Sequence, residues 1–109
     1  MAATLKNKVI KNVGTVPVEI FETTASQRAT VIGMSITNLT QSFVYVDVLV
    51  KDDTSVTGYY LKDSLLPAGT SLRVVSTGEK LILANSNNLQ VRSSVDDSID
   101  VIVSYAEIT

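Results

Sequence analysis

The 109-residue sequence contains no histidine, cysteine or tryptophan, and it has only two prolines and six aromatic residues. Histidine and cysteine are the side chains that most often carry acid-base, nucleophilic and metal chemistry near neutral pH. Without cysteine, disulfides are excluded and the redox compartment cannot be inferred. These absences predict a protein that is not an enzyme and that holds neither a metal ion nor a cofactor.

The chain also has no large excess of one charge and no long apolar run. Nine Lys and Arg residues are scattered against eleven Asp and Glu residues, for a net charge of −2. No basic block follows Lys6, Lys8 and Lys11, which argues against a nucleic-acid partner. No apolar run approaches the ~20 residues of a membrane helix, and the N-terminus lacks a signal-peptide core. We therefore expect no membrane partner and no export through a signal peptide.

What is abundant is the set of side chains that suits a pleated sheet, since 36 positions are Val, Ile or Thr. The length favours one domain, and a 45% hydrophobic share favours a folded chain. Strand signals recur about every ten residues, separated by turn residues. They predict an all-β antiparallel sandwich or jelly roll of eight or nine short strands. The predicted strands cover residues 9–13, 16–22, 28–38, 43–51, 56–61, 72–76, 80–84, 89–94 and 99–108.

Alternation within the strands predicts which side chains point inward. In the strand 43–51, the inward row consists of four valines: Val44, Val46, Val48 and Val50. A one-residue slip would bury Asp47, so the register should be well specified. In the strand 28–38, the larger apolar groups predict an inward row of Thr30, Ile32, Met34 and Ile36, with Gly33 marking a bulge or a close contact.

Turn residues separate these strands. Asn38-Leu39-Thr40 has the form of a glycosylation sequon, but without an export signal we interpret it as a turn. Pro67-Ala68-Gly69-Thr70 predicts a turn with Gly69 at positive φ. Further turns are predicted at residues 52–55, 77–79, 85–88 and 96–98. The polar segment 1–12 does not suit a core, so we predict an N-terminal arm over 1–12 and a β-sandwich domain over 13–109.

Two acidic sites are candidates for metal binding or catalysis. Asp96, Asp97 and Asp100 could supply oxygen ligands to calcium, but they lack the spacing of an EF-hand loop, and a solvated turn is the alternative. Asp47 could belong to a pair of carboxylates of the glycosidase kind. Its alternatives are to face water or to pair with a lysine or arginine across the sheet. No Ser-x-x-Lys spacing and no phosphate-binding loop are present.

Tyr59 and Tyr60 are adjacent, so on a regular strand they point to opposite faces. We expect one of them to pack inward. The other is either an anchor in a protein interface, a role for which tyrosine is suited, or an ordinary surface residue.

From Val9 to its end, the chain resembles small β-sandwich virion proteins of tailed bacteriophages. The resemblance is carried by Ala29-Thr30-Val31-Ile32-Gly33, by the valine-rich strand after it, and by several stretches of the second half: Tyr59-Tyr60-Leu61-Lys62-Asp63, Leu66-Pro67-Ala68-Gly69-Thr70-Ser71-Leu72, Glu79-Lys80-Leu81-Ile82-Leu83, Leu89-Gln90-Val91-Arg92-Ser93-Ser94 and Ser98 to Thr109. The chain departs from the pattern at residues 21–27 and 85–88, where other turn sequences are common.

The resemblance implies a non-enzymatic building block of the virion, present in many copies at the neck, at the tail or on the capsid surface. Its implied partners are copies of itself and other virion proteins, and such subunits work by burying surface against one another. Lys6, Lys8, Lys11, Tyr59 and Tyr60 are the predicted contact residues. Two other functions are open: a carbohydrate- or receptor-binding module, which needs an exposed aromatic platform, and a small hydrolase with two carboxylates.

Overall fold

In the computed structural model, the described part of the chain comprises residues 3–75 and 80–109 and folds entirely into strands and turns. None of its elements is a helix that could cross a membrane. The nine strands are β1 (Ala3–Val13), β2 (Val18–Glu22), β3 (Arg28–Asn38), β4 (Val44–Lys51), β5 (Thr57–Leu66), β6 (Ser71–Val75), β7 (Leu81–Leu83), β8 (Asn88–Ser93) and β9 (Ile99–Ile108).

The strands form two antiparallel sheets that pack face to face. Sheet A has the order β1-β9-β3-β6, with the short β7 pairing β3 beside β6, and sheet B has the order β2-β8-β4-β5. Most connections cross from one sheet to the other, and β4 and β5 form a hairpin within sheet B. This is the strand order of a jelly roll. The predicted all-β sandwich is confirmed.

The core lies between the sheets and consists of alternate residues from facing strands. The predicted valine row of β4 is confirmed, because Val44, Val46 and Val48 are fully buried and Val50 is partly buried against the core. Each such side chain contributes roughly 1.5–3 kcal/mol through burial. At one end of the core, the rings of Phe21 in sheet B and Tyr105 in sheet A stack with centroids 4.1 Å apart. Sheet A contributes four alternate residues of β9: Ile99, Val101, Val103 and Tyr105.

The predicted inward face of β3 is only half right. The pairing of β3 with β9 shifts register between Val31 and Gly33, so a bulge changes the phase of the alternation. Ala29 and Val31 point inward before the bulge, and Met34 and Ile36 do so after it, whereas Ile32 is exposed. The prediction of a bulge at Gly33 is correct, but its effect on Thr30 and Ile32 was not foreseen.

The first strand is longer than predicted. It begins at Ala3 rather than Val9 and pairs with β9 along most of its length. Between Ala3 and Val9 its side chains are exposed on both faces. The strand β1 forms one edge of sheet A. Met1 and Ala2 of the predicted arm lie outside the described residues. The division into an arm and a domain therefore stays a prediction.

Several turns have the predicted backbone form. Gly69 has a φ of 64°, and Ser86 and Asp97 have φ of 58° and 52° in the turns before β8 and β9. Residues 52–55 close the β4–β5 hairpin as expected. The predicted turn Thr77-Gly78-Glu79 lies outside the described residues.

Asn38 holds one end of the sandwich together and is 2% exposed. Its Nδ2 donates to the carbonyl oxygens of Ser42, Leu66 and Pro67 at 2.9, 3.1 and 3.2 Å. Its Oδ1 accepts from the N–H and the hydroxyl of Thr40, each at 2.8 Å. Both ends of this buried amide are therefore satisfied. The interpretation of the sequon as a structural turn is confirmed, since the Asn38 side chain is enclosed and fully engaged.

Gly14 lies against the turn that precedes β9. The Oδ1 atom of Asp96 accepts from the N–H and the hydroxyl of Thr15, each at 3.0 Å, which ties the β1–β2 connection to that turn. A Cβ added at Gly14 would lie 2.6 Å from the same Oδ1 atom and 3.1 Å from the Cα of Asp96. Only glycine fits here without moving Asp96.

We expect Gly14→Ala to lower the free energy of unfolding by about 1–3 kcal/mol, because the added methyl displaces Asp96 from Thr15. Urea denaturation measures the change. Gly33→Ala is the matched control, since a Cβ at Gly33 has no atom within 4 Å. Equal stability of the two variants would contradict the steric explanation.

Candidate interaction surfaces

Two acidic residues of the cluster near the C-terminus accept hydrogen bonds from backbone N–H groups. Asp100 accepts from the N–H of Asn12 at 2.9 Å, and Asp96 accepts from Thr15. These hydrogen bonds from Thr15 lower the pKa of Asp96. Within residues 3–75 and 80–109, no three acidic side chains are grouped so that they could hold a metal ion. The turn interpretation of Asp96, Asp97 and Asp100 describes this geometry better than calcium binding does.

Asp52 behaves in the same way at the tip of the β4–β5 hairpin. Its Oδ1 accepts from the hydroxyl and N–H of Thr54 at 2.7 and 2.9 Å and from the N–H of Val56 at 3.0 Å. The hydrogen bonds from the Thr54 hydroxyl and the Val56 N–H lower the pKa of Asp52. The plain turn expected for Asp52 and Asp53 is confirmed.

Asp47 is the one buried carboxylate of sheet B, and it forms an ion pair across the sheet. It lies directly opposite Arg92 of β8, whose Nη2 and Nε donate to Oδ2 at 2.6 and 3.0 Å. Asp63 has a φ of 48°, and its N–H donates to Oδ1 at 2.6 Å. The three residues line a surface depression of about 170 Å³ together with Tyr45 and Ser94.

The protonation of Asp47 does not suit a general acid. Burial alone would raise its pKa, but the hydrogen bonds from Asp63 and Arg92 and the charges of Arg92 and Lys62 outweigh burial and hold the pKa below its ordinary value. A glycosidase acid needs the opposite shift. Cross-strand pairing with an arginine, one of the alternatives for Asp47, is the arrangement found.

Four of the six aromatic residues are exposed, and all four lie on or beside β4 and β5. The rings of Phe43 and Tyr45 meet edge to face with centroids 5.6 Å apart, and the ammonium of Lys62 lies 4.7 Å from the ring centroid of Tyr59. The expectation that Tyr59 or Tyr60 packs inward is wrong, because β5 bulges at Tyr60 and both tyrosines are exposed.

Sequence reasoning did not single out Phe43 and Tyr45 as surface residues. The signal was present, since both alternate with the buried valines of β4 and must share its outer face.

The predicted contact lysines all lie on β1 and are exposed. Lys6 and Lys8 are opposite Tyr105 and Val103 of β9, so they share the face of sheet A that looks toward sheet B. The ammonium of Lys6 lies 3.0 Å from the carboxylate of Glu107. The structure thus brings Lys6, Lys8 and Lys11 together on one strand, on a different strand and sheet from Tyr59 and Tyr60.

The outer surface of sheet A has a different character. We name as the sheet A face ten outward residues of β1, β9 and β3, none of which is charged: Leu5, Asn7, Val9, Thr30, Ile32, Gly33, Ser35, Ile102, Ser104 and Ala106. Leu5, Val9, Ile32 and Ile102 are its exposed apolar members. Two adjoining grooves of about 400 and 440 Å³ cross it and share Ile32 and Ser104. Alternation in the last strand indicates its Ile102, Ser104 and Ala106 part, whereas the contribution of Ile32 was missed because the bulge in β3 turns that side chain outward.

We expect Arg92→Met to lower stability at neutral pH by about 1–3 kcal/mol, because it leaves Asp47 buried without its cation. This range is below that of a fully buried pair, since the Arg92 side chain is 35% exposed. The lowered pKa of Asp47 contributes stability that is present above its unfolded value of about 3.9 and is lost as pH falls through the folded value. The variant lacks the arginine that lowers this pKa, so the part of its stability that is lost on acidification should be smaller.

Thermal melts between pH 2 and pH 7 measure both effects. Lys6→Met is the control, because the pair of Lys6 and Glu107 is more exposed and solvent screening should make its loss matter less. A pH profile of Arg92→Met parallel to that of the unmodified chain would refute the role given to the ion pair.

Sequence comparisons leave the family of this chain open. No protein-family model matches it, and no curated protein does.

Solved structures match the fold across nearly the whole chain. The T13 viral particle of infectious bursal disease virus matches with a TM-score of 0.56 and 12% identity, over 96% of this chain and 30% of that one. The VP2 protein of the same virus in T=1 particles matches with a TM-score of 0.57 and 10% identity, over 96% and 31%. A pilus subunit of Bacillus endospore appendages matches with a TM-score of 0.58 and 7% identity, over 98% and 88%. This chain thus spans about a third of the viral chains, and at these identities the likeness establishes the jelly-roll fold and nothing beyond it.

Proposed function

We propose that this protein is a non-enzymatic structural subunit of a virion, and that its function is to assemble through protein–protein contacts. The observation that carries the proposal is the jelly-roll fold, which it has in common with proteins whose structures are those of viral particles and of a pilus. Those proteins build large assemblies from repeated subunits. The chemistry of this chain agrees, because its buried acid is ion-paired and Asp52 and Asp96 hold turns.

The sequence motifs narrow the proposal to tailed bacteriophages, with a place at the neck, at the tail or on the capsid surface. We propose that the β1 lysines Lys6, Lys8 and Lys11 contact neighbouring chains, and that Tyr59 and Tyr60 form a second contact on the other sheet. A free strand edge such as that of β1 invites pairing or cover by a partner. Exposed tyrosines are a residue type enriched in interface hot spots.

The direct test is mass spectrometry of purified particles of the phage that encodes the chain, with antibody-gold labelling to locate it. We expect the chain to copurify with particles in many copies and to label one structural feature. Its absence from purified particles, with the chain present in the infected cell, would refute the proposal.

A carbohydrate-binding module is the second candidate, and the exposed aromatic residues favour it. Tyr45 borders the depression that contains Asp47 and Arg92, and Phe43 packs against Tyr45. Their rings are inclined at 78°, however, so they do not form one flat platform for a sugar ring. Screening the purified chain on a glycan array tests this candidate, with Tyr45→Ala as the control. Binding that the substitution abolishes would favour it over the assembly role.

A further inference from the structure

We propose that the sheet A face packs against the same face of a second copy, so that two chains form a closed, two-fold symmetric dimer. The inference rests on the assembly role proposed above and names the first contact of that assembly. A two-fold contact must be self-complementary, because the same patch serves both subunits. The sheet A face meets this condition in charge, in relief and in size.

The charge distribution of the sheet A face allows the faces of two identical copies to pack together. Its ten residues include no Asp, Glu, Lys or Arg, and the charged outward residues of β3 and β9, Arg28 and Asp100, lie at opposite ends of the sheet. The outer surface of sheet B differs, since it carries Glu19, Asp63 and the Asp47–Arg92 pair. The inward side of β1 carries Lys6 and Lys8, and pairing two β1 edges would oppose like charges.

The relief of the face combines ridges and hollows. Ile32 and Ile102 stand out beside Gly33, Ser35 and Ser104, and these small residues line the groove of about 400 Å³. A Cβ at Gly33 would meet nothing within 4 Å, so the space above this glycine is open. A face with both features can place its own ridges in the hollows of a copy.

The strand register places these features correctly for a two-fold axis that runs parallel to the strands between β9 and β3. Such an axis lays β9 of each copy over β3 of the other. Ile102 pairs with Ser35 within one sheet, and Ser104 pairs with Gly33. The rotation therefore sets Ile102 of one copy over Ser35 of the other, and Ile32, in the bulge beside Gly33, over Ser104. Large side chains meet small ones on both sides of the axis.

The margins of the face add complementary charge. Asp100 pairs with Thr37 within the sheet, and Arg73 pairs with Ser35 one row away on β6. The same rotation lays Asp100 of one copy over Thr37 of the other, beside the second copy's Arg73. The symmetry repeats this contact, so each acidic group meets a basic group of the other chain.

The size of the face is sufficient for a stable contact. The strands β1, β9 and β3, about 4.8 Å apart and about 33 Å long, cover roughly 550 Å² per copy together with the shorter β6 beside them. Two copies then bury more than the ~1,000 Å² that separates specific interfaces from incidental ones.

Sedimentation equilibrium of the full chain tests the proposal. We expect a monomer–dimer equilibrium that changes little between low and high salt, because the centre of the contact is uncharged. Gly33→Leu should weaken dimerisation at least tenfold by filling the hollow, with the monomer fold intact. Gly58→Leu on β5 is the matched control, since a Cβ there also has no atom within 4 Å, and it should dimerise normally.

The chain has no cysteine, so engineered cysteines report the geometry directly. When Ser35→Cys and Ile102→Cys chains are mixed under oxidising conditions, we expect the mixed disulfide dimer to dominate. A Leu65→Cys chain on sheet B should not join either of them efficiently.

The results of these experiments either support or refute the two-fold contact. A wild-type chain that remains monomeric, or a Gly33→Leu chain that dimerises normally, overturns the two-fold contact. So does cross-linking with no preference for the mixed pair. These failures leave the virion role untouched if the chain is found in purified particles. Absence from particles would refute the role even where the dimer forms.

Discussion

Alternation of inward and outward side chains along each strand is the constraint on which this molecule depends. The described chain has no helix and the sequence has no cysteine, so burial between two sheets is its main source of stability. A slip of one residue in β4 would exchange the row of Val44, Val46 and Val48 for Tyr45 and Asp47. The ion pair of Asp47 with Arg92 makes that slip still costlier, since it anchors the outer row across two strands.

Bulges are the points at which the chain departs from this alternation, and they generate its surface features. The bulge in β3 turns Ile32 outward and leaves the hollow at Gly33 beside it. The bulges in β5 expose Tyr60 and direct the N–H of Asp63 toward Asp47. The regular parts of the strands therefore make the core, whereas the irregular parts make the surfaces proposed for assembly.

Whether a feature could be predicted from the sequence depends on whether it lies in a regular part of a strand or at a bulge. The sandwich, the valine row of β4 and the glycine turn at Gly69 were predictable, because periods and turn residues are local signals. The faces of Ile32 and Tyr60 were not, because the phase of a strand after a bulge depends on its partner strand. The engagement of Asn38 with Leu66 and Pro67 joins residues far apart in sequence, and no local pattern reports it.

The two longest edge strands of the sandwich, β1 and β5, resist pairing with another sheet by different means. On β5, the N–H of Asp63 points inward to Asp47, which interrupts the row of donors that an added strand would need. On β1, whose outer edge is regular from Ala3 to Ile10, Lys6 and Lys8 repel an identical edge. Fibril-like growth through β1 or β5 is therefore disfavoured, and the remaining sheet edges are the shorter strands β2, β6 and β7.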